Sequence, residues 1–413
     1  MLNPQGYVTL PPALGKTDTG GQVVYLLELS QALARERVKV DIITRQFAGQ
    51  PAEEQPAENL RIVRIPAGGD DFIPKEKLFE IIPEFVENLK DRMRRKRRKY
   101  DIVHSHYWDG GYAGSILSKE IGVPHVNTPH SLGKLKEFAM SVEDLPPQKL
   151  KPAYRYHVRN AIEQKILEEA DATIVINETS RIQVLQHYKV DFEKLHVIYP
   201  GIDTSKFRVK PNRYDQQVSL DKNSILTMSR MVPAKGLDRV LDAVARLHGK
   251  VKFNLYMGGS AHDEFQSEEE QVTERELLKL IKRHKLDSSV HFVGDVPHHS
   301  LLPAYYRAAD VFVLAGRFEQ FGLTTLEAMA CGTVPVVSSV AGSREVIIDG
   351  LNGFIVDTHN RQELADCLSR LLRKPELRQK ISENAVMSIQ DHYSWGKIVK
   401  QILKLYGSVA RRA

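Results

Sequence analysis

Five short stretches of this 413-residue chain carry side chains whose types and spacing can do chemistry. The densest is GRFEQFGLTTLEAMACG at 316–332, where Glu319 and Glu327 are separated by seven residues with Gly322 between them. Glu319 falls on a strand-to-helix loop. Gly322 permits a tight turn, so the backbone N–H groups of Leu323 and Thr324 can face a ligand phosphate. Glu327 falls about one turn into the helix that follows. A carboxylate there can accept two hydroxyl donors, which suits a ribose diol. The bland alternative is two incidental surface acids. In MSRMVPAKGLD, Arg230 ends a strand and Lys235 precedes a helix beginning near Gly236. Two cations beside a helix N-terminus make a diphosphate cradle, each charge-assisted hydrogen bond contributing about 1.5–3 kcal/mol. The alternative is a solvated basic loop.

Three more stretches lie in the first half. Thr17-Asp18-Thr19-Gly20-Gly21-Gln22 directly precedes a helical run. Adjacent glycines there let a ligand approach the backbone and present N–H donors to an anion; a plain loop capped by Thr19 is the other reading. HSHYWDGG at 104–111 puts His106, Tyr107, Trp108 and Asp109 after an apolar strand. TPHSLG at 128–133 puts His130 after another. In open α/β sheets ligands bind outside the C-terminal strand ends, so these tips sit where a sugar or base can dock. A packed surface loop and a structural histidine are the respective alternatives.

Elements that could position these tips are visible in the apolar pattern. Short β-branched runs (VDIITR, RIVRIP, YDIVHSH, ATIVIN, LHVIYP) alternate with helical stretches such as 21–36. The pattern pauses in the polar segment 201–222, then restarts with SILTMSR, VKFNLYMGG, VHFVGDV, DVFVLAG and VPVVSS. Alternation of this kind predicts parallel sheets covered on both faces. We expect an α/β chain of two doubly wound domains, 1–205 and 206–389, with a last helical segment at about 390–413 that can return to the first domain. The chain opens at Met1-Leu2-Asn3-Pro4, where the end of a first strand is expected. Either that strand is short or it has residues upstream.

Composition excludes several classes. With 42% apolar and 27% charged residues the chain is neither disordered nor fibrous. Two cysteines, Cys331 and Cys367, cannot build a thiolate metal knuckle or a disulfide framework, which fits a reducing cytosol. The net charge of +6 suits a phosphorylated ligand or an anionic surface without demanding either. No apolar run reaches the ~20 residues of a membrane span, and no signal peptide is expected. No Asp-x-Asp, G-x-x-x-x-G-K-[ST], G-x-S-x-G or intact G-x-G-x-x-G occurs, so an acidic Mn/Mg clamp is absent and hydride transfer is disfavoured. The basic run at 92–99 follows an amphipathic helix. It reads as a solvated helix end, with a membrane-surface role as the alternative; nucleic-acid binding is not expected.

In this order the motifs resemble glycosyltransferase family 4, the retaining GT-B enzymes, over nearly the whole chain. NPQGY, DTGGQVVY, IPAGGDDFIPKE, HSHYWDGG and TPHSLG are similar to its sucrose-phosphate synthase and mannosylfructose-phosphate synthase branch. The resemblance implies two Rossmann-like domains facing a central cleft. It implies a nucleotide-sugar donor (UDP-glucose or GDP-mannose) and a sugar-phosphate acceptor such as fructose 6-phosphate, with no metal and no other cofactor. By position, Arg230 and Lys235 match donor-diphosphate ligands, Glu327 a ribose ligand, Glu319 a contact of the transferred hexose and His130 the histidine near the reacting sugar. Gly21 and Gln22 match the loop shaping the acceptor site, and Lys75 a contact of the acceptor phosphate. Tyr107 and Asp109 lie at the same acceptor-side tips, and Arg155 and Arg159 are candidate phosphate partners. The leaving phosphate oxygen is expected to take the acceptor proton on the same face of the sugar. AGSRE at 341–345 departs from the commoner Gly-Gly-Pro before the glutamate, which blurs donor preference. A membrane-surface transferase with a lipid acceptor and a non-catalytic nucleotide-sugar-binding protein are the rival readings.

Overall fold

A computed structural model describes residues 1–10, 12, 20–142, 155–259, 267–298 and 300–411, with backbone only at 138–142. The chain divides into two units, Met1–Gly201 with Trp395–Ala413, and Ile202–Ser394.

In the first unit the β-branched runs form β1 (Val40–Arg45), β3 (Leu60–Ile65), β4 (Val103–His106), β5 (His125–Thr128), β6 (Ala172–Val175) and β7 (Leu195–Val197). One more strand, β2 (Glu53–Ala57), was not expected. It is polar, mostly exposed and antiparallel to β3. A half-solvated edge strand has no need of the apolar run that betrays buried parallel strands, so the all-parallel expectation fails at this edge. Strand orders are β1-β3-β2 and β4-β5-β6-β7. Leu2 joins them, bridging Ile43 of β1 and Ser105 of β4 in parallel. Its N–H donates to the His104 carbonyl at 2.8 Å and its carbonyl accepts from His106 N–H at 2.9 Å. The opening residues therefore occupy the central position, where the strand order reverses, although they make only bridges.

The helix Trp395–Ala410 belongs to this unit. It buries Ile398, Val399, Ile402 and Leu405, each contributing about 1.5–3 kcal/mol. Trp395 donates its indole N–H to Glu28 at 2.7 Å. The basic run does not follow an amphipathic helix but closes it: Ile82–Lys96 contains Arg92 to Lys96, and Arg97 caps it in the left-handed region. Arg92 pairs with Glu53 at 2.5 Å, and Arg94 pairs with Asp91. Cations in a last helical turn oppose the helix dipole, the solvated-end arrangement.

The second unit is one six-stranded parallel sheet: β8 (Ser224–Met228), β9 (Asn254–Gly258), β10 (Val290–Gly294), β11 (Val311–Leu314), β12 (Val334–Ser338) and β13 (Phe354–Val356). Its order is β10-β9-β8-β11-β12-β13. The direction of winding reverses between β8 and β11, and a crevice opens at the carboxyl ends of such a pair. Those ends lead into 229–236 and 315–322, the two stretches singled out for diphosphate chemistry.

Three histidines of the first unit, His104, His106 and His125, are almost fully buried. Burial holds His104 and His106 well below the usual 6.5 and lowers His125 to about 3. In the unfolded chain each ring takes a proton as pH falls through 6.5, while the folded chain does not. Stability therefore drops with acidity, by about 2 kcal/mol per histidine between pH 6.5 and 5. Guanidinium midpoints at those two pH values should differ accordingly; equal midpoints would show that the rings protonate in place.

Candidate active site

In the second unit, a 3-10 turn at Pro233–Lys235 leads into the helix Leu237–Ala245. Gly236 joins them at φ 64°, and a Cβ on it would lie 2.2 Å from the Ala315 carbonyl oxygen. The close approach of 229–236 to 315–322 thus requires glycine. Gly322 takes φ 92° at the start of the helix Leu323–Ala330. Neither the Leu323 nor the Thr324 amide makes a backbone hydrogen bond among the described residues, the state of all first-turn amides before a cap or ligand arrives.

Lys235 and Glu319 are brought together as an ion pair, each partly exposed. Arg230 is exposed and makes no side-chain hydrogen bond among the described residues. So one cation of the expected cradle is neutralised by the neighbouring carboxylate and the other faces solvent. The clamp that holds the loops was missed in the sequence. Arg317 is buried and forks onto Asp238 at 2.6 and 2.7 Å, while also donating to the Pro233 carbonyl at 2.7 Å. Its own N–H donates to Ala234 at 2.8 Å. Bidentate geometry fixes both distance and orientation. Arg317 stood inside the Glu319 motif, but nothing in the sequence pairs it with Asp238.

Glu327 does sit one turn into its helix, buried, with both carboxylate oxygens already engaged. His298 meets one oxygen at 2.7 Å and Tyr306 donates to the other at 2.8 Å. Each oxygen thus already holds one donor, and a diol at this carboxylate would use the remaining lone pairs or replace those partners.

In the first unit, the residues after Leu2 and the helix Gly21–Arg35 meet at the reversal of strand order. Gln22 donates to the Asn3 side chain at 2.6 Å, and Asn3 donates to the Gln5 carbonyl at 2.7 Å. Gly21 opens that helix and is exposed; Thr17 to Thr19 lie outside the described residues. His130 follows β5 with φ 53°, and its Nε2 lies 2.9 Å from His106 Nδ1. Tyr107 and Arg155 also take positive φ, 68° and 45°. Non-glycine residues held there cost about 1–3 kcal/mol each and cluster at functional sites.

Three acceptor-side candidates, Tyr107, Asp109 and Arg159, are buried. Asp109 is fully buried and accepts from the Gly110 amide at 2.8 Å. Arg159, also buried, donates to Glu163 at 2.7 Å, Tyr107 Oη at 3.1 Å and the Ser131 carbonyl at 2.7 Å. Its charge is committed to locking Tyr107 and the loop after His130. This corrects its reading as a phosphate partner, since a buried guanidinium is satisfied by such partners before any ligand arrives. Arg155 and Lys75 remain partly exposed. Arg155 pairs with Glu80 at 2.5 Å and lies over the Phe79 ring. Lys75 lies 3.8 Å from the Glu76 carboxylate. Arg45, another residue the sequence reading missed, is buried and donates to the Ala67, Gly69 and Asp71 carbonyls at 2.6–2.8 Å, shaping the loop before Lys75. Among the described residues no cluster of three His, Cys, Asp or Glu is arranged to hold a metal ion, and no helix is long and apolar enough to cross a membrane.

Two Rossmann-like units in one chain, each with its candidate residues at strand ends where the winding reverses, are the architecture of GT-B glycosyltransferases. Comparison with known proteins agrees. Residues 19–206 match the profile of Glycosyltransferase Family 4 and residues 210–386 that of Glycosyl transferases group 1. The chain is 33% identical to mannosylfructose-phosphate synthase of Agrobacterium fabrum over 98% of its own length and 90% of that protein's. It is 32% identical to D-inositol 3-phosphate glycosyltransferase of Pseudarthrobacter chlorophenolicus, over 96% and 92%. Among solved structures, sucrose-phosphate synthase from Thermosynechococcus elongatus superposes with a TM-score of 0.84 at 28% identity, covering 97% of this chain and 96% of that one. Anabaena HepE in complex with UDP and glucose shares the fold at 20% identity, with a TM-score of 0.71 over 94% and 96%. The chain belongs to the family 4, group 1 glycosyltransferases of the GT-B type, and it is an enzyme of that class.

Proposed function

We propose that this enzyme moves glucose or mannose from a UDP or GDP sugar to a sugar-phosphate acceptor, with retention at the anomeric carbon and without a metal. Fructose 6-phosphate is the first acceptor to test. The observation that carries the reading is the arrangement at the β8/β11 reversal: the loop 229–236, which carries Arg230 and Lys235, is tied to 315–322 by the Lys235–Glu319 ion pair and the Arg317–Asp238 fork, just ahead of the first turn of Leu323–Ala330. As the glycosidic bond breaks, negative charge develops on the departing diphosphate, and preorganised donors stabilise it. The leaving phosphate oxygen then takes the acceptor hydroxyl proton, so no dedicated side-chain base is required. Glu319 orients the hexose, and Lys75 with Arg155 meets the acceptor phosphate, while Tyr107 and the buried Asp109 and Arg159 support that side.

A cyclitol phosphate acceptor is the second reading, favoured by the 32% identity to an inositol phosphate glycosyltransferase. A matrix of UDP-glucose and GDP-mannose against fructose 6-phosphate, free fructose and inositol 3-phosphate, run with and without EDTA, decides between them. Transfer only to inositol 3-phosphate would replace the first reading. Loss of transfer in EDTA would remove the metal-independent mechanism. No transfer to any phosphorylated acceptor would sink both readings.

Lys75→Ala should raise KM for the phosphorylated acceptor about tenfold or more, from one lost charge-assisted hydrogen bond, and leave KM for the donor near its wild-type value. An equal effect on both constants would take Lys75 away from the acceptor phosphate.

A further inference from the structure

His106 belongs to the strand-end motif HSHYWDGG and is fully buried. It sits in a row of imidazoles. His104 stacks on it with ring centroids 4.4 Å apart, and His130 follows at 5.2 Å. His104 has both nitrogens engaged, Nδ1 with Tyr406 Oη at 2.5 Å and Nε2 with Thr128 Oγ1 at 2.8 Å. His106 Nε2 faces the Met1 thioether sulfur at 3.5 Å, and its Nδ1 faces His130 Nε2 at 2.9 Å.

A thioether has no proton to give, so the contact at His106 Nε2 is a hydrogen bond only if that nitrogen carries the proton. A neutral imidazole has one N–H, which leaves His106 Nδ1 as an acceptor. The proton between the two rings must then belong to His130 Nε2. We infer that His106 is a positioning residue which fixes His130 in the Nε2–H tautomer, leaving His130 Nδ1 as a bare acceptor. Nδ1 makes no hydrogen bond among the described residues, while the Tyr25 ring packs edge-on against the imidazole at 4.9 Å. A histidine's tautomer is set by the bond its other nitrogen makes. Taking His130 as the sugar contact that its family match implies, which rests on the function proposed above, that nitrogen accepts a hydrogen bond from a sugar hydroxyl.

The test uses the full chain with ring-15N histidine, without ligand, in two-bond 1H–15N correlation spectra; loss of one signal set in His130→Gln assigns His130. The expected pattern is a protonated Nε2 and an unprotonated Nδ1. The opposite tautomer, or an averaged pattern, overturns the inference. In His106→Leu the His130 signals should move to the averaged pattern, and kcat should fall roughly ten- to a hundredfold, the usual cost of a slightly misplaced group, with KM for both substrates within about twofold of wild type. His106→Asn returns an acceptor oxygen to the His130 side and should recover the tautomer and most of kcat. Retention of both in His106→Leu overturns the inference. If the leucine variant does not fold, the wild-type and asparagine spectra decide it. A wild-type chain with the expected tautomer but no transfer activity keeps the inference and sinks the proposed function; an active chain with the opposite tautomer does the reverse.

Discussion

Lys235→Ala is expected to lower kcat by about 10²–10³-fold, the usual loss when one donor to a developing oxyanion is removed, while the melting temperature stays within a few degrees of wild type. Lys235 ends a short turn and is partly exposed, so its removal opens no core cavity. It is also the partner of Glu319. Without the ammonium, that carboxylate stands uncompensated beside the place where diphosphate charge accumulates, and repulsion adds to the lost attraction. UDP and GDP affinity should therefore fall in Lys235→Ala and recover in part when Glu319→Gln is added, although turnover does not return. Calorimetric titration of the three proteins with both nucleotides checks this. Near-normal turnover in the single variant would take Lys235 out of the mechanism. Equal affinities in the single and double variants would show that the pair does not matter to the nucleotide.

Gly236→Ala should disable the same site through the backbone. Alanine at φ 64° costs about 1–3 kcal/mol in strain, and its Cβ would lie 2.2 Å from a main-chain oxygen of Ala315 that cannot turn aside as a side chain could. The two loops must separate, and the Arg317 fork to Asp238 and Pro233 stretches with them. Nucleotide binding should become undetectable at concentrations that saturate the wild type, and the second unit should melt earlier. Unchanged nucleotide affinity would show that close approach of the loops is not what builds the cradle.

Much of this was legible along the chain because it is local. Buried parallel strands need continuous β-branched runs, so all the strands of the second unit's sheet except the short Phe354–Val356 stood out. Gly322, Leu323 and Thr324 could be placed at a helix start because strand, turn and helix follow within a few residues. The polar edge strand Glu53–Ala57 escaped for the opposite reason: one solvated face removes the apolar signal.

Side-chain commitments were not legible, because each depends on a partner distant in the chain. Arg317 finds Asp238, Glu327 finds His298 and Tyr306, Arg159 finds Tyr107 and Ser131, and His106 finds His130 and Met1. A motif says that a glutamate or arginine stands near a strand tip. Whether it faces a ligand or is spent inside the protein follows from desolvation, since a charge enclosed by packing must be paired by whatever groups the fold brings within about 3 Å. Fold class and the position of the loops at the β8/β11 reversal are therefore properties of spacing along the chain. The division of its charged residues into those left facing solvent, such as Arg230, and those that hold the frame, such as Arg317 and Arg159, is decided only when helices pack on the sheets and water leaves.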